Sequence, residues 1–486
     1  MNFVSCDFIA FLLIVWTAYA LLPARFRAGF LLAASYVFYA YWSLGFISVI
    51  LLTTTVDYAA SKFIAKSTSK AHRKTAMFSA IALNLVILSI FKYSKFFLET
   101  AKPVAEKLGL HQTLPDSLNI ILPLGISFYT FEAISYLVDV YRGAPPAPTW
   151  LKYNFFIMYF PHLLSGPIIR FKAMFRQFDA PLQLASKERL AQAVELILLG
   201  FVFKVIFADG AATISDPMFA NPNATSVLNT YFGALAFAGR VYFDLLGYTH
   251  IARGVSLLFN IELPLNFNHP CAATNIRDFW SRWHISLTKW IRDYLFVPLG
   301  GLTSNSLQLA LVLIFVMTLA GAWHGAGWTF IIWGFFHGCL LAFYQAYRAL
   351  YLKVGSANPG LKAYLDSSVA YNVFSRVLTQ TIVALSLVIF GSPNLKTMVV
   401  LLKHLARVDQ LFIQLASTIS SNQWAAIVTA LLVALTMYTG PLAVRLYNSH
   451  FRRLPLFFKT QTAMCVAITC WILSSGDFRP FVYFQF

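Results

Sequence analysis

Apolar residues occur along this chain in long runs, separated by short polar or basic stretches. Runs of membrane-spanning length lie near 3–22, 28–43, 46–64, 76–98, 119–138, 190–208, 229–248, 306–323, 327–350, 374–391, 424–445 and 457–475. About 20 apolar residues in a helix cross the hydrocarbon core of a bilayer, so the pattern predicts an all-α bundle of twelve membrane helices. The first run has no basic segment before it and no small-residue cleavage site ahead of Arg25, so it reads as a retained helix rather than a secretory signal.

Two stretches depart from this rhythm. Between 144 and 190 the apolar runs are short and are interrupted by Pro145, Pro146, Pro148, Pro161 and Pro167. Irregular backbone at membrane depth persists only where protein buries it or where it lines a wet cavity, so half-spanning or re-entrant helices are expected there. In 274–295, Trp280, Trp283, Leu287, Ile291 and Tyr294 recur at helical spacing, and Asp278, Arg282, Lys289 and Asp293 form a second stripe. That pattern predicts one amphipathic helix lying at an interface or lining a cavity.

Composition supports the membrane reading. The 486 residues are 58% hydrophobic and 12% charged, with mean hydropathy +0.66, against about 25% charged in an ordinary soluble domain. A soluble fold of this length would have to hide every apolar run in one core. The net charge of +18 invites a nucleic-acid reading. The basic residues, however, lie between apolar runs, where positive charge fixes membrane orientation. Arg25 and Arg27 follow the first run; Lys62, Lys66, Lys70, Arg73 and Lys74 follow the third; and the tip at 43–45 has no basic residue. This predicts an outward N-terminus, cytoplasmic basic loops, the bilayer as partner and no nucleic acid. The five cysteines (Cys6, Cys271, Cys339, Cys465 and Cys470) have no paired spacing, so neither a disulfide framework nor a metal site is expected. Without internal repeats or low-complexity sequence, residues 1–486 read as a single transmembrane domain.

The candidate chemistry lies in the few polar side chains within apolar runs, each of which costs on the order of a few kcal/mol unless partnered. In Leu319-Ala-Gly-Ala-Trp-His-Gly-Ala-Gly-Trp328 a span ends at His324, flanked by Trp323 and by Gly321, Gly325 and Gly327. The glycines allow a helix break and the close approach of a substrate. A histidine there can act as a general base toward a hydroxyl or thiol; a hydrogen bond between helices would account for it equally well. His284, in Phe279-Trp-Ser-Arg-Trp-His-Ile-Ser-Leu-Thr288, falls in register with Trp280 and Leu287 and either points into the same cavity or is satisfied in the core. His337 reads as a packed histidine of its own span, and His162 in the broken region is open to either reading. Glu132 and Asp244 must be paired, with Arg240 and Arg253 as candidate partners of Asp244. The tail Arg479-Pro-Phe-Val-Tyr-Phe-Gln-Phe486 suits an aromatic belt at the membrane surface, while a tyrosine in it can also carry an acyl group as a phenolic ester. No phosphate-binding loop, dinucleotide fingerprint or metal-spaced cluster is present. On polarity alone, a transporter relaying protons through buried His and Asp residues is the alternative.

Several motifs, in order, resemble the membrane-bound O-acyltransferase family, in particular its bacterial alginate and peptidoglycan O-acetyltransferase branch. They are Ile121-Leu-Pro-Leu-Gly-Ile-Ser-Phe-Tyr-Thr-Phe131, Phe160-Pro-His-Leu-Leu-Ser-Gly-Pro-Ile-Ile-Arg170, Asn266-Phe-Asn268, Arg277-Asp-Phe-Trp-Ser-Arg-Trp-His-Ile-Ser-Leu287, Trp323-His-Gly325 and Phe481-Val-Tyr-Phe484. The resemblance implies a ring of helices around a thin core, with funnels from both faces meeting near a histidine. It implies His324 as the catalytic histidine, His284 as a second polar position, and Tyr483 as a C-terminal acyl carrier on the outer side. Trp283, Trp323 and Asn268 would lie along the substrate path. It further implies acetyl-CoA as cytoplasmic donor with no metal, residence in the bacterial inner membrane, and a periplasmic SGNH-like acetyl-transferring partner. The acceptor would be an exported polysaccharide: alginate, peptidoglycan or cellulose. One stretch departs from the family pattern: in Gly247-Tyr-Thr-His-Ile-Ala-Arg-Gly254, His250 stands where relatives carry an acid, and Arg253 where they carry an apolar residue.

Overall fold

The computed structural model describes residues 3–416, apart from 110–114, 116, 117, 119, 165, 303 and 304, together with positions 427, 428, 431, 435, 439, 461, 462, 464–466, 468–470 and 481. Among the described residues the ordered secondary structure is helical, with no strand. In chain order the helices are Cys6–Leu21 (α1), Ala24–Ala40 (α2), Gly45–Lys66 (α3), Lys70–Lys107 (α4), Ile126–Tyr141 (α5), Trp150–Met158 (α6), Phe160–Leu163 (α7), Phe171–Phe178 (α8), Lys187–Ala220 (α9) and Val227–Leu258 (α10). They continue with Ile276–Arg282 (α11), Ile285–Ile291 (α12), Ser306–His324 (α13), Trp328–Ala357 (α14), Pro359–Ser367 (α15), Val369–Gly391 (α16), Leu395–Leu405 (α17) and Val408–Ala416 (α18).

Six of these, α3, α4, α9, α13, α14 and α16, are long and apolar enough to cross a membrane, and α1 is a shorter apolar helix. The expected spans at 28–43, 119–138 and 229–248 are helices too, within or overlapping α2, α5 and α10. Those at 424–445 and 457–475 fall largely outside the described residues. Leu13, Ile14, Leu307, Leu311, Phe343 and Phe374 are among the large apolar side chains left more than half exposed. In water such a surface would aggregate; in a bilayer it meets lipid. The chain is a multi-pass membrane protein.

By its contacts the chain forms two compact units. Unit 1 comprises 1–197 and 248–264, and unit 2 comprises 198–247 and 265–486, the boundaries falling within α9 and α10. In unit 1 the broken region behaves as its prolines dictate. Thr149 caps α6 by accepting from the Lys152 amide at 3.3 Å, and α6 and α7 are short. Every residue from Tyr153 to Leu164 is buried, as irregular backbone inside a membrane protein must be.

Unit 2 departs from the sequence reading at 274–295, where the single amphipathic helix is in fact two. Asn275 caps α11 by accepting from the Asp278 amide at 2.9 Å, and the helix stops at Arg282. His284 takes the left-handed conformation (φ 44°, ψ 53°), and α12 starts afresh. The apolar stripe continues through the break, with Phe279, Trp280, Trp283, Leu287, Trp290 and Tyr294 all buried. Periodicity therefore gave no sign of the interruption.

Candidate functional site

The His324 site is built from α11, α13, α14 and α16 of unit 2. Asn305 caps α13 by accepting from the Gln308 amide at 2.9 Å. The helix ends at His324 because Gly325 and Gly327 run extended, and α14 begins at Trp328. The two helices are pressed together at glycines. A Cβ on Gly321 would lie 2.3 Å from the Phe330 carbonyl oxygen, and one on Gly334 would lie 2.3 Å from that of Met317. Gly321 thus serves helix packing of the small-residue type used in membranes, not the approach of a substrate.

His324 is 6% exposed. Its ring lies 5.0 Å from Trp323, 5.4 Å from Trp333 and 5.5 Å from Phe390, edge to face in each case. It lines a small cavity of about 20 Å³ together with Trp280, Trp283, Trp333, His337 and Phe390, enough room for one water-sized group. An apolar cavity of about 310 Å³ shares Phe279, Trp283, Val383 and Leu387 with it, so the two adjoin.

His337 is a packed histidine, as its span suggested, but it also faces the cavity. Its Nε2 is 2.9 Å from Ser386 Oγ, and that hydroxyl donates its one hydrogen to the Val383 carbonyl at 2.7 Å. Nε2–H therefore donates to Ser386, and the lone pair of the neutral imidazole resides on Nδ1. The Trp280 and Trp333 rings lie 5.3 and 4.8 Å from the His337 ring. Sequence patterning placed Trp280 on the stripe of 274–295 but did not single out Trp333, because Phe330, Trp333, His337 and Leu341 form the ordinary buried stripe of a packed helix.

The other expected site residues are distributed differently. Trp283 lines both cavities. Trp323 is buried beside His324, and the His284 ring lies 6.5 Å from the Trp323 ring. His284 is 2% exposed and packs near Phe267 at 6.4 Å rather than lining the His324 cavity. Asn268 is exposed and is tied through its backbone to Arg282, its amide donating to the Arg282 carbonyl at 3.0 Å. The working asparagine of that motif is Asn266. It is buried, its Oδ1 accepts from the Ser286 amide at 3.1 Å and hydroxyl at 2.8 Å, and its carbonyl accepts from the Ile285 amide at 2.9 Å. Residues 266–268 thus strap the break that sets His284. Tyr483 lies outside the described residues.

Asp244 pairs with Lys204 at 2.8 Å, and Lys204 also reaches Asp209 at 2.8 Å. This corrects both expected partners: Arg240 pairs with Asp216, and Arg253 donates to the Leu263 carbonyl at 3.3 Å. The Lys204 ammonium also lies 4.8 Å from the centre of the buried Phe481 ring, a cation–π contact that ties position 481 into unit 2. In unit 1, Glu132 meets His162 Nε2 at 3.2 Å and accepts from the Ile169 amide at 3.2 Å. His162 and Glu132 thereby clamp the broken segment to α5. Among the described residues no group of three or more His, Cys, Asp or Glu side chains is placed to hold a metal.

Fold and site define a helical membrane protein with a histidine at a helix break, facing a small aromatic cavity. The chain belongs to the membrane-bound O-acyltransferase family, whose model matches residues 31–388, a span containing His162, His284, His324 and His337. It is 39% identical over 334 residues to the probable alginate O-acetylase AlgI of Azotobacter vinelandii, covering 68% of this chain and 66% of that protein. It is 32% identical over 412 residues to the peptidoglycan O-acetyltransferase of Helicobacter pylori, covering 79% and 75%. It is also 31% identical over 243 residues to the teichoic acid D-alanyltransferase of Bacillus subtilis, covering 47% and 60%. The matched stretch thus spans about two thirds of the length of the first of these relatives. The chain is an acyltransferase.

Proposed function

We propose that this protein is the membrane subunit of an O-acetylation system. It moves an acetyl group from a cytoplasmic donor toward the hydroxyls of an exported polysaccharide. The observation that carries the reading is His324 lining a cavity at the end of α13, within a chain similar to an alginate O-acetylase and a peptidoglycan O-acetyltransferase. Acetyl-CoA is the donor, a thioester whose carbonyl is open to attack by a hydroxyl. His324 takes the proton of that hydroxyl and returns it to the departing thiolate. The basic loops on the cytoplasmic side suit a donor rich in phosphate, and a bacterial inner membrane separates such a donor from the polymer outside. A periplasmic partner of the SGNH type receives the acetyl group and delivers it to alginate, peptidoglycan or cellulose. Tyr483 carries the group to that partner; Phe481, two positions before it in sequence, packs on Lys204 in the same unit as His324.

The test is polymer acetylation in cells. His324→Ala abolishes it while protein levels hold, and unchanged acetylation would reject the assigned chemistry. Tyr483→Phe, which removes only the phenolic oxygen, is expected to lower acetylation at least tenfold, because a residue carrying the group covalently cannot be bypassed cheaply. Full activity would remove the tyrosine relay and leave the acetyltransferase standing.

A further inference from the structure

Two of the rings that line the His324 cavity carry hydrogen-bond donors that nothing in the structure uses. Trp280 Nε1 and Trp333 Nε1 are buried without a hydrogen-bond partner, on side chains only 9% and 4% exposed. Both rings line the cavity that His324 lines, with centroids 5.9 Å apart, and the Trp333 ring is 5.4 Å from that of His324. A buried N–H that has given up water without replacing it is costly, so such groups are rare without a partner. Two such groups around one small space call for an oxygen to fill it.

We propose that the indole N–H groups of Trp280 and Trp333 hold the acyl carbonyl oxygen, and the negative charge that develops on it, beside His324. This rests on the reading of the site as an acyltransferase centre using a thioester donor. As the acceptor hydroxyl oxygen bonds to the acyl carbon, the carbonyl π pair moves onto the oxygen and His324 takes the hydroxyl proton. The two N–H groups then face the oxyanion. Collapse restores the carbonyl, breaks the carbon–sulfur bond and releases the thiolate, which recovers the proton from His324. Donors fixed in a dry apolar wall are worth far more at that moment than donors in water, because they need no reorganisation. Each belongs to a rigid aromatic packing: Trp333 lies 5.0 Å from Phe390 and 4.8 Å from His337, which Ser386 anchors in turn. The space of about 20 Å³ admits an oxygen-sized group, and the adjoining cavity of about 310 Å³ has room for more of the ligand.

The experiment uses purified full-length protein, acetyl-CoA and a soluble oligosaccharide as the hydroxyl acceptor. Trp333→Phe and Trp280→Phe each keep an aromatic ring and lose the N–H. Each is expected to lower kcat about 10²–10³-fold, with KM for acetyl-CoA within about twofold. Where phenylalanine disturbs folding, 3-benzothienylalanine at position 333 keeps the bicyclic shape without the donor and should show the same loss. In His324→Ala protein, which holds the thioester without turnover, the carbonyl stretch of bound ¹³C-acetyl-CoA should shift upward when Trp333 is also replaced by phenylalanine. A kcat within threefold of wild type for the benzothienyl protein would overturn the proposal. So would lowered thermal stability at unchanged kcat, which would mark a structural water site. If these replacements are silent while His324→Ala is inactive, only this inference fails; if His324→Ala stays active, the reading beneath it fails.

Discussion

His162 in unit 1 and His324 in unit 2 are almost equally hidden, at 2% and 6% exposure, yet the two rings meet different chemistry. His162 Nε2 faces the Glu132 carboxylate at 3.2 Å, and the other carboxylate oxygen accepts the Ile169 amide. The Gly166 backbone is pressed against it so closely that a Cβ there would lie 2.4 Å from His162 Cα. The pair fixes an irregular stretch of chain. His324 has aromatic neighbours, a cavity in front of it and idle N–H donors around that cavity. A buried histidine is not in itself a sign of chemistry; open space and uncommitted polar atoms beside it are.

The contrast can be broken by mutation. The largest effect on stability is expected at the clamp. Replacing His162 by alanine leaves the Glu132 carboxyl buried with one backbone donor, and removing one partner of a buried hydrogen bond costs about 1–3 kcal/mol, to which the lost imidazole packing adds. Folded yield and thermal stability, followed by size-exclusion chromatography after heating, should fall sharply. Turnover per folded molecule should stay close to wild type; a stable but inactive His162→Ala protein would erase the distinction drawn here. A smaller effect is expected at the strap. Asn266→Ala removes the acceptor of two hydrogen bonds at the start of α12, a cap-like loss of about 1 kcal/mol. The melting temperature should drop by a few degrees, and Asn266→Asp, which keeps the acceptor oxygen, should restore most of it. An unchanged melting temperature would mean that the break at His284 is held by other contacts.

Much of the helical plan was legible in the sequence because lipid imposes a simple rule: a crossing helix must be apolar and long. The short helices of 150–163 and the buried stretch 153–164 were legible from the neighbouring prolines for the same reason. What pattern could not give were choices made by distant partners. The apolar stripe through 274–295 is the same whether one helix or two carries it, and the interruption is held by Asn266, which precedes it. Asp244 had to be paired, but nothing near it pointed to Lys204, a neighbour only once α9 and α10 pack. Among the expected site residues, His324 and Trp283 do line one cavity, while the His284 ring lies 6.5 Å from Trp323 and Asn268 is exposed. Trp280 was legible as part of an interfacial or cavity-lining stripe, whereas His337 read as packed and Trp333 went unmarked, because core and cavity wall demand the same apolar, aromatic side chains.

The most direct test sets the two histidines side by side. Purified His324→Ala and His162→Ala proteins are compared for acetyl transfer from labelled acetyl-CoA, normalised to the folded fraction of each. Transfer per folded molecule is expected to fall about 10²–10⁴-fold for His324→Ala, from general-base magnitudes, and to stay within about threefold of wild type for His162→Ala. Substantial transfer by folded His324→Ala protein would contradict the assignment of the chemistry to that imidazole.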